Sequence, residues 1–288
     1  MKKTKSFSIL ASVLICLITL TLLTYCGDKN KDSSDSSVAT TNESPKPLNI
    51  SVYLDLSDRL TRELTPNQMD RDTAIINHLV DIFIQDCITN GKILNSDNHF
   101  QIFFYPTPAI SEVDVLAKGL NIDLSKVGIK DKKKELMSMK ERIQNNLTLI
   151  YNDAITQNKW VGSDIWGFFS NKEVDKLCVR KGYRNILVIL TDGYLYHDNN
   201  KVVDGKAYSY VLPKTLAVEG SSLIAKRKGL TDLEILMLEV NPYTPQQHDP
   251  LVSVLENWFK EMEVGNFVVT ETALPTNTKV YIDNFFKD

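Results

Sequence analysis

Residues 185 to 191 read Asn-Ile-Leu-Val-Ile-Leu-Thr, and residues 233 to 240 read Leu-Glu-Ile-Leu-Met-Leu-Glu-Val. Runs so apolar and so short have no wet face, so each must be covered on both sides. Parallel strands in the middle of a sheet, with helices packed above and below, meet that demand. The flanking sequence supplies further strands at 49–55, where Ile50, Val52 and Leu54 share a face, at 99–105 and at 266–271. Residues 113–124 are expected to form a short edge strand. Thr65-Pro66-Asn67-Gln68 reads as an N-cap with Pro at N1 and Gln at N3, opening a helix that runs to about residue 89. Residues 132–157 carry Leu136, Met139, Ile143, Leu147, Ile150, Tyr151 and Ile155 at helical spacing. A weaker helix is expected at 213–228. Asp249-Pro250 opens another, whose stripe is Leu251, Val254, Leu255, Trp258, Phe259 and Met262, and 275–287 suits a closing helix. The fold class is α/β: a three-layer, open, mostly parallel sheet with helices on both faces and right-handed crossovers, Rossmann-like in plan.

The first 47 residues stand apart. Lys2, Lys3 and Lys5 precede an apolar stretch over residues 6–25, and Cys26 follows. A basic start, an apolar core and a processing site make an export signal. Leu23-Thr24-Tyr25-Cys26 resembles the lipobox of bacterial lipoproteins, with Tyr25 departing from the usual small residue. The resemblance implies lipidation of Cys26. Residues 27–47 contain two apolar residues, Val38 and Ala39, and no aromatic one, so they are expected to form a flexible tether. Stretched, it would reach on the order of 65 Å. Gly27 rather than Asp follows the cysteine, which by the same resemblance favours the outer membrane. The expected division is a signal peptide at 1–25, a tether at 26–47 and an α/β domain at 48–288.

Composition excludes several classes. Of 288 residues 43% are hydrophobic and 24% charged, at a formal net charge of −3, which excludes a disordered chain and a strongly basic nucleic-acid binder. Residues 1–25 hold three lysines and no acid, so without them the charge falls from −3 to −6. No Gly-rich phosphate loop is visible, so no nucleotide is expected. His78, His99, His197 and His248 show no ligand spacing. Cys87 and Cys178 lie among apolar neighbours; they read as two buried thiols, with a disulfide as the alternative in an exported protein. The run Lys130 to Lys134 reads as a solvated helix start.

The chemistry gathers at strand ends. The first strand ends Asp55-Leu56-Ser57-Asp58-Arg59, and the strand at 185–191 ends Thr191-Asp192-Gly193. Between them Gly162-Ser163-Asp164 opens a short helix. In open α/β sheets ligands bind beyond the carboxyl ends of the strands. Carboxylate and hydroxyl oxygens with no Cys or His suit a hard cation such as Mg²⁺ or Mn²⁺.

In the order and spacing of these motifs the chain resembles the von Willebrand factor A (integrin I-like) family over roughly residues 48–288. The family's metal-ion-dependent adhesion site uses an Asp-x-Ser-x-Ser loop, a Thr in a second loop and an Asp in a Thr-Asp-Gly turn. The resemblance implies Asp55, Ser57, Ser163 and Asp192 as metal ligands, and a docking site whose open position takes a partner's carboxylate. Arg59 departs from the pattern by standing where a second Ser is usual. It either points away into a surface ion pair or neutralises Asp55 or Asp192 in place of the ion. Asp58 and Asp164 are further oxygen donors within reach of the same loops.

Residues 194–211 read as a β-hairpin with a turn near Asp204-Gly205. Tyr194, Tyr196, Tyr208 and Tyr210 alternate along it and are candidate partner contacts, or pack on their own domain. Trp160 and Trp166 flank the middle loop and read as core. The expected function is non-enzymatic: a lipid-anchored module of the cell envelope that docks a protein partner. The alternatives are a metal-dependent hydrolase or phosphatase using the same acidic site, and a structural subunit in which the site is vestigial. Ser57 in place of a second Asp counts against a phospho-aspartyl mechanism.

Overall fold

The computed structural model describes residues 45–89, 93–107, 111–157, 163–194, 202–204, 207–209, 227–242 and 244–287. Pro45–Asp288 forms one compact unit. Its strands are β1 (Leu48–Leu54), β2 (His99–Phe103), β3 (Asn121–Asp123), β4 (Arg184–Leu190), β5 (Val202–Asp204), β6 (Ala207–Ser209), β7 (Leu233–Val240) and β8 (Asn266–Glu271). The helices are α1 (Gln68–Thr89), α2 (Ser111–Lys118), α3 (Lys132–Gln157), α4 (Ile165–Ser170), α5 (Glu173–Cys178), α6 (His248–Glu261) and α7 (Pro275–Lys287).

Six strands form one open sheet in the order β3-β2-β1-β4-β7-β8. All neighbours run parallel except β2 and β3. The side chains of β1 divide between two cores. Ile50, Val52 and Leu54 pack with α1, α3 and α7, while Tyr53 packs with α4, α5 and α6. Helices therefore cover both faces, and the expected three-layer α/β class holds. At about 25 cal/mol per Å² of apolar surface, these two cores supply the main driving force. Cys87 and Cys178 are free buried thiols in opposite cores, so the sheet separates them. Burial raises the Cys87 thiol and pushes Cys178 up to about 12, which keeps both protonated.

Three expectations change. Residues 113–124 do not form one strand: α2 takes Ser111–Lys118, and Asn121–Asp123 alone pairs with β2. Val113, Leu116, Ala117 and Leu120 recur at three- and four-residue spacing and join the first core. Glu112 and Asp114 in the first turn and Lys118 in the last suit the helix dipole. Helix α1 begins at Gln68 and is capped by Asn67, not Thr65. The Asp70 amide donates to Asn67 Oδ1 at 2.9 Å, and Asn67 Nδ2 donates back to Asp70 Oδ2 at 2.8 Å. Lys132 is buried rather than solvated, and its Nζ donates to the Ser96 carbonyl at 2.7 Å.

In the tyrosine-rich segment, Val202–Asp204 pairs antiparallel with Ala207–Ser209, as a hairpin turning near Asp204-Gly205 requires. Gly205, Tyr196, Tyr210, Trp160, His197 and most of the expected helix at 213–228 lie outside the described residues.

Candidate functional site

Strands β1 and β4 pair over seven residues, from Leu48 with Arg184 to Leu54 with Leu190. From β1 the chain steps outward to β2, and from β4 it steps the other way, to β7 and β8. The crevice beyond their carboxyl ends is where the strand order reverses. Asp55 follows β1 and Thr191-Asp192 follows β4, so the topology brings them together.

Asp55 is buried and its oxygens are engaged. Oδ1 accepts from the Ser57 amide at 2.8 Å, and Oδ2 accepts from Thr191 Oγ1 at 2.7 Å. Thr191 Oγ1 in turn accepts from the Gly193 amide at 3.2 Å. Gly193 holds φ +92°, and a Cβ there would meet Val240 Cγ1 at 3.0 Å, so the turn is closed to larger residues. Asp192 is 7% exposed, and its Oδ1 accepts from the Tyr194 amide at 3.2 Å. Its backbone carbonyl accepts from the Asn241 amide at 3.0 Å, which ties the turn to the end of β7.

Neither expected orientation of Arg59 holds in full. The side chain is 1% exposed, so it forms no surface pair. Nε donates to the Asp55 carbonyl at 2.8 Å and lies 4.0 Å from Asp55 Oδ2. Both Nη atoms turn to Asp72 of α1, at 3.3 and 2.6 Å. Asp72 also accepts from Tyr151 Oη at 2.6 Å and from Gln68 Nε2 at 2.8 Å. Burial works against the guanidinium charge, but Asp72 and then Asp55 outweigh it and push its pKa further up. Arg59 is thus an internal cation shared between β1 and α1.

The cation beside Asp192 is Arg62, with Nη2 at 3.7 Å from Asp192 Oδ2 and Nη1 donating to the Asn241 carbonyl. The two arginines leave the acids incompletely neutralised. Burial raises the Asp55 carboxyl in spite of Arg59. Burial, then the charge of Asp55, raises Asp192 to about 7, against the pull of Arg62.

Ser163 stands in the loop beside β2 and is 2% exposed. Its Oγ lies 2.9 Å from Tyr53 Oη. Asp164 caps α4, its Oδ1 accepting from the Gly167 amide at 2.7 Å. Gly167 permits this approach, since a Cβ there would fall 2.1 Å from Asp164 Oδ2. Asp58 is exposed on a 3-10 turn, Asp58–Thr61. Tyr194, considered as a partner contact, is 8% exposed and packs in the second core, with Oη donating to Gln247 Oε1 at 2.6 Å. Tyr208 lies in β6. Trp166 packs against the second core, as expected.

Among the described residues no three His, Cys, Asp or Glu side chains form a metal-ligand group. Any cation here would draw on hydroxyl oxygens as well as the two carboxylates.

Sequence reasoning missed Arg62, Asp72, Tyr53 and the Gln68–Glu239–Arg71 cluster. Arg71 Nε donates to Glu239 Oε2 at 2.7 Å, with Gln68 Nε2 at 3.4 Å from the same oxygen. One signal was available: Asp72 lies on the buried stripe of α1, three and four residues before Ile75 and Ile76. A charge in that position needs a buried partner.

No family model matches the chain, and no curated protein does. Two solved structures are similar to it. The conserved hypothetical protein BatB from Bacteroides thetaiotaomicron is 11% identical over 84% of this chain and 100% of that one, at a TM-score of 0.36. The pilus adhesin SpaC from Lactobacillus rhamnosus GG is 11% identical over 85% of this chain and 30% of that one, at a TM-score of 0.39.

Proposed function

We propose that this chain is a binding module of the von Willebrand A type, anchored by lipid at Cys26 in the cell envelope, that docks a protein partner at the crevice between β1 and β4. The observation that carries this reading is the pair of buried carboxylates at the switch point: Asp55, whose Oδ2 accepts from Thr191 Oγ1 at 2.7 Å, and Asp192, the next residue in the chain after Thr191. Asp192 and Asp55 resist ionisation there, so the crevice has room for one more positive charge. The donor set fits a hard cation, Mg²⁺ or Mn²⁺. Asp55, Ser57, Ser163 and Asp192 would hold it. Bound there, a cation would supply an electrophilic centre for a partner's carboxylate. Arg59 does not compete, because its guanidinium ends are committed to Asp72. Beside Asn241 a cleft of about 420 Å³, lined by Pro242, Pro245 and His248, adjoins the crevice and offers the partner further contact.

Calorimetric titration of the purified protein tests this reading. Saturable Mg²⁺ or Mn²⁺ binding that Asp192→Ala abolishes is expected. No heat and no thermal shift with either ion overturns it. Phosphatase and esterase screens in Mg²⁺ should be blank; turnover lost on Asp55→Ala would favour the hydrolase instead.

A further inference from the structure

Tyr53 lies on β1 two residues before Asp55, fully buried, and its hydroxyl has two neighbours. It donates to the Tyr105 carbonyl at 2.6 Å and lies 2.9 Å from Ser163 Oγ. A phenol carries one proton and a carbonyl carries none. Two oxygens 2.6 Å apart need a proton between them, so the Tyr53 proton is spent on Tyr105. The hydrogen bond to Ser163 must then be donated by Ser163. The Tyr105 carbonyl also accepts from the Asp164 amide at 3.0 Å, which fixes the loop that carries Ser163.

From this proton accounting we infer that Tyr53 is a positioning residue: it holds the Ser163 proton inward, so that Ser163 meets a ligand with lone pairs alone. The inference rests on the cation-docking reading above and deepens it. The neighbouring donors are pinned in the same sense. Thr191 gives its proton to Asp55, and the amides of Ser57, Gly193 and Tyr194 turn to Asp55, Thr191 and Asp192. Arg62 beside Asp192 apart, these groups present acceptors, which favour a cation over phosphate or another anion. Tyr53 thereby acts on ligand choice from inside the sheet.

The test is Mn²⁺ affinity of the purified protein, read by calorimetry, for wild type, Tyr53→Phe, Ser163→Ala and the double variant, with inorganic phosphate as the control ligand. Outer-shell partners of metal ligands commonly change affinity about 10–100-fold. Tyr53→Phe should weaken Mn²⁺ binding by at least about 10-fold. The double variant should bind no worse than Ser163→Ala alone, because Tyr53 acts through Ser163. Wild type that binds no Mn²⁺ overturns the docking reading itself. Wild type that binds while Tyr53→Phe binds equally, or a double variant with fully additive losses, overturns the role of Tyr53 alone. Phosphate binding at the crevice, lost in Ser163→Ala, overturns it too. Ser163→Cys keeps the inference testable should Tyr53→Phe not fold. A sulfur whose lone pairs face the ion must lose Mn²⁺ and gain Cd²⁺; no gain of Cd²⁺ overturns the assignment.

Discussion

The two ends of the central strands solve the same problem with opposite chemistry. At the amino ends, the buried polar groups that join β1 to its neighbours are neutral amides and an imidazole. Asn49 Nδ2 donates to Asn185 Oδ1 and to the Cys178 carbonyl, each at 2.8 Å. Asn185 Nδ2 bonds the Arg180 and Asp232 carbonyls at 3.1 and 3.2 Å, and Asn98 Oδ1 takes the Leu48 amide at 2.9 Å. His99 Nδ1 reaches Asn49 Oδ1 at 2.6 Å. At the carboxyl ends the buried groups include the charges of Asp55, Arg59, Asp72 and Asp192. Neutral donors and acceptors can be satisfied within the protein and left. Buried carboxylates that stay partly unneutralised carry a free energy that a ligand can relieve. One end is finished by folding; in the proposed reading the other is finished by binding.

Breaking each end should expose that contrast. The largest effect is expected for Arg59→Leu, which strands Asp72 and part of the Asp55 interaction in the interior. One-sided loss of a buried pair costs about 3–5 kcal/mol, measurable as a shift in the urea midpoint. Asn185→Ala should follow at about 2–3 kcal/mol, from buried amide and carbonyl groups left unpaired. Its cost should not change between pH 5 and 8, because nothing it touches through that amide titrates there.

The pH responses of the two ends should have opposite signs. Burial, then Arg180, lowers His99 to about 4. Unfolded histidine takes a proton near 6.5, while the folded one refuses it, so this stability is present above 6.5 and lost as pH falls towards 4. His99→Asn should flatten that arm of the curve, by about 2 kcal/mol. Asp192, raised to about 7, holds its proton in the folded chain where the unfolded chain has released it. Its contribution is present at low pH and lost as pH rises from about 4 to about 7. In EDTA, Asp192→Asn should therefore raise Tm at pH 8, by about 1 kcal/mol in stability terms. A gain equal at pH 4 and pH 8 would break the comparison. The smallest effect belongs to Asp81→Asn: the exposed Lys140 pair at 2.6 Å should be worth under about 1 kcal/mol.

Much of the fold was legible because burial writes itself into composition. The runs Ile186–Leu190 and Ile235–Leu238 are apolar since helices cover both faces, and the stripes of α3 and α6 follow from their single buried side. The edge was less legible, since Leu120, Ile122 and Leu124 alternate as a strand does while Val113, Leu116 and Ala117 keep helical spacing, and tertiary packing sets the boundary between them. At the site, the motifs located Asp55, Ser57, Ser163 and Asp192 at neighbouring strand ends. The partners of the arginines were not legible. A sequence displays a charge but not its direction, and Arg59 and Arg62, three residues apart, turn to different carboxylates. Tyr53 was hidden for another reason: on an apolar strand a tyrosine reads as core, and its hydroxyl matters through a loop 110 residues away.

The bond between Asp55 and Thr191 joins residues 136 apart in the chain. Contacts so distant form late, because the loop between them must close before anything rewards it. A folding chain can assemble β1, α1 and β2 while the crevice does not yet exist. Any ligand of this site therefore meets the finished sheet and no earlier species. Its binding would report on complete folding, slowing escape from the native state without speeding arrival there.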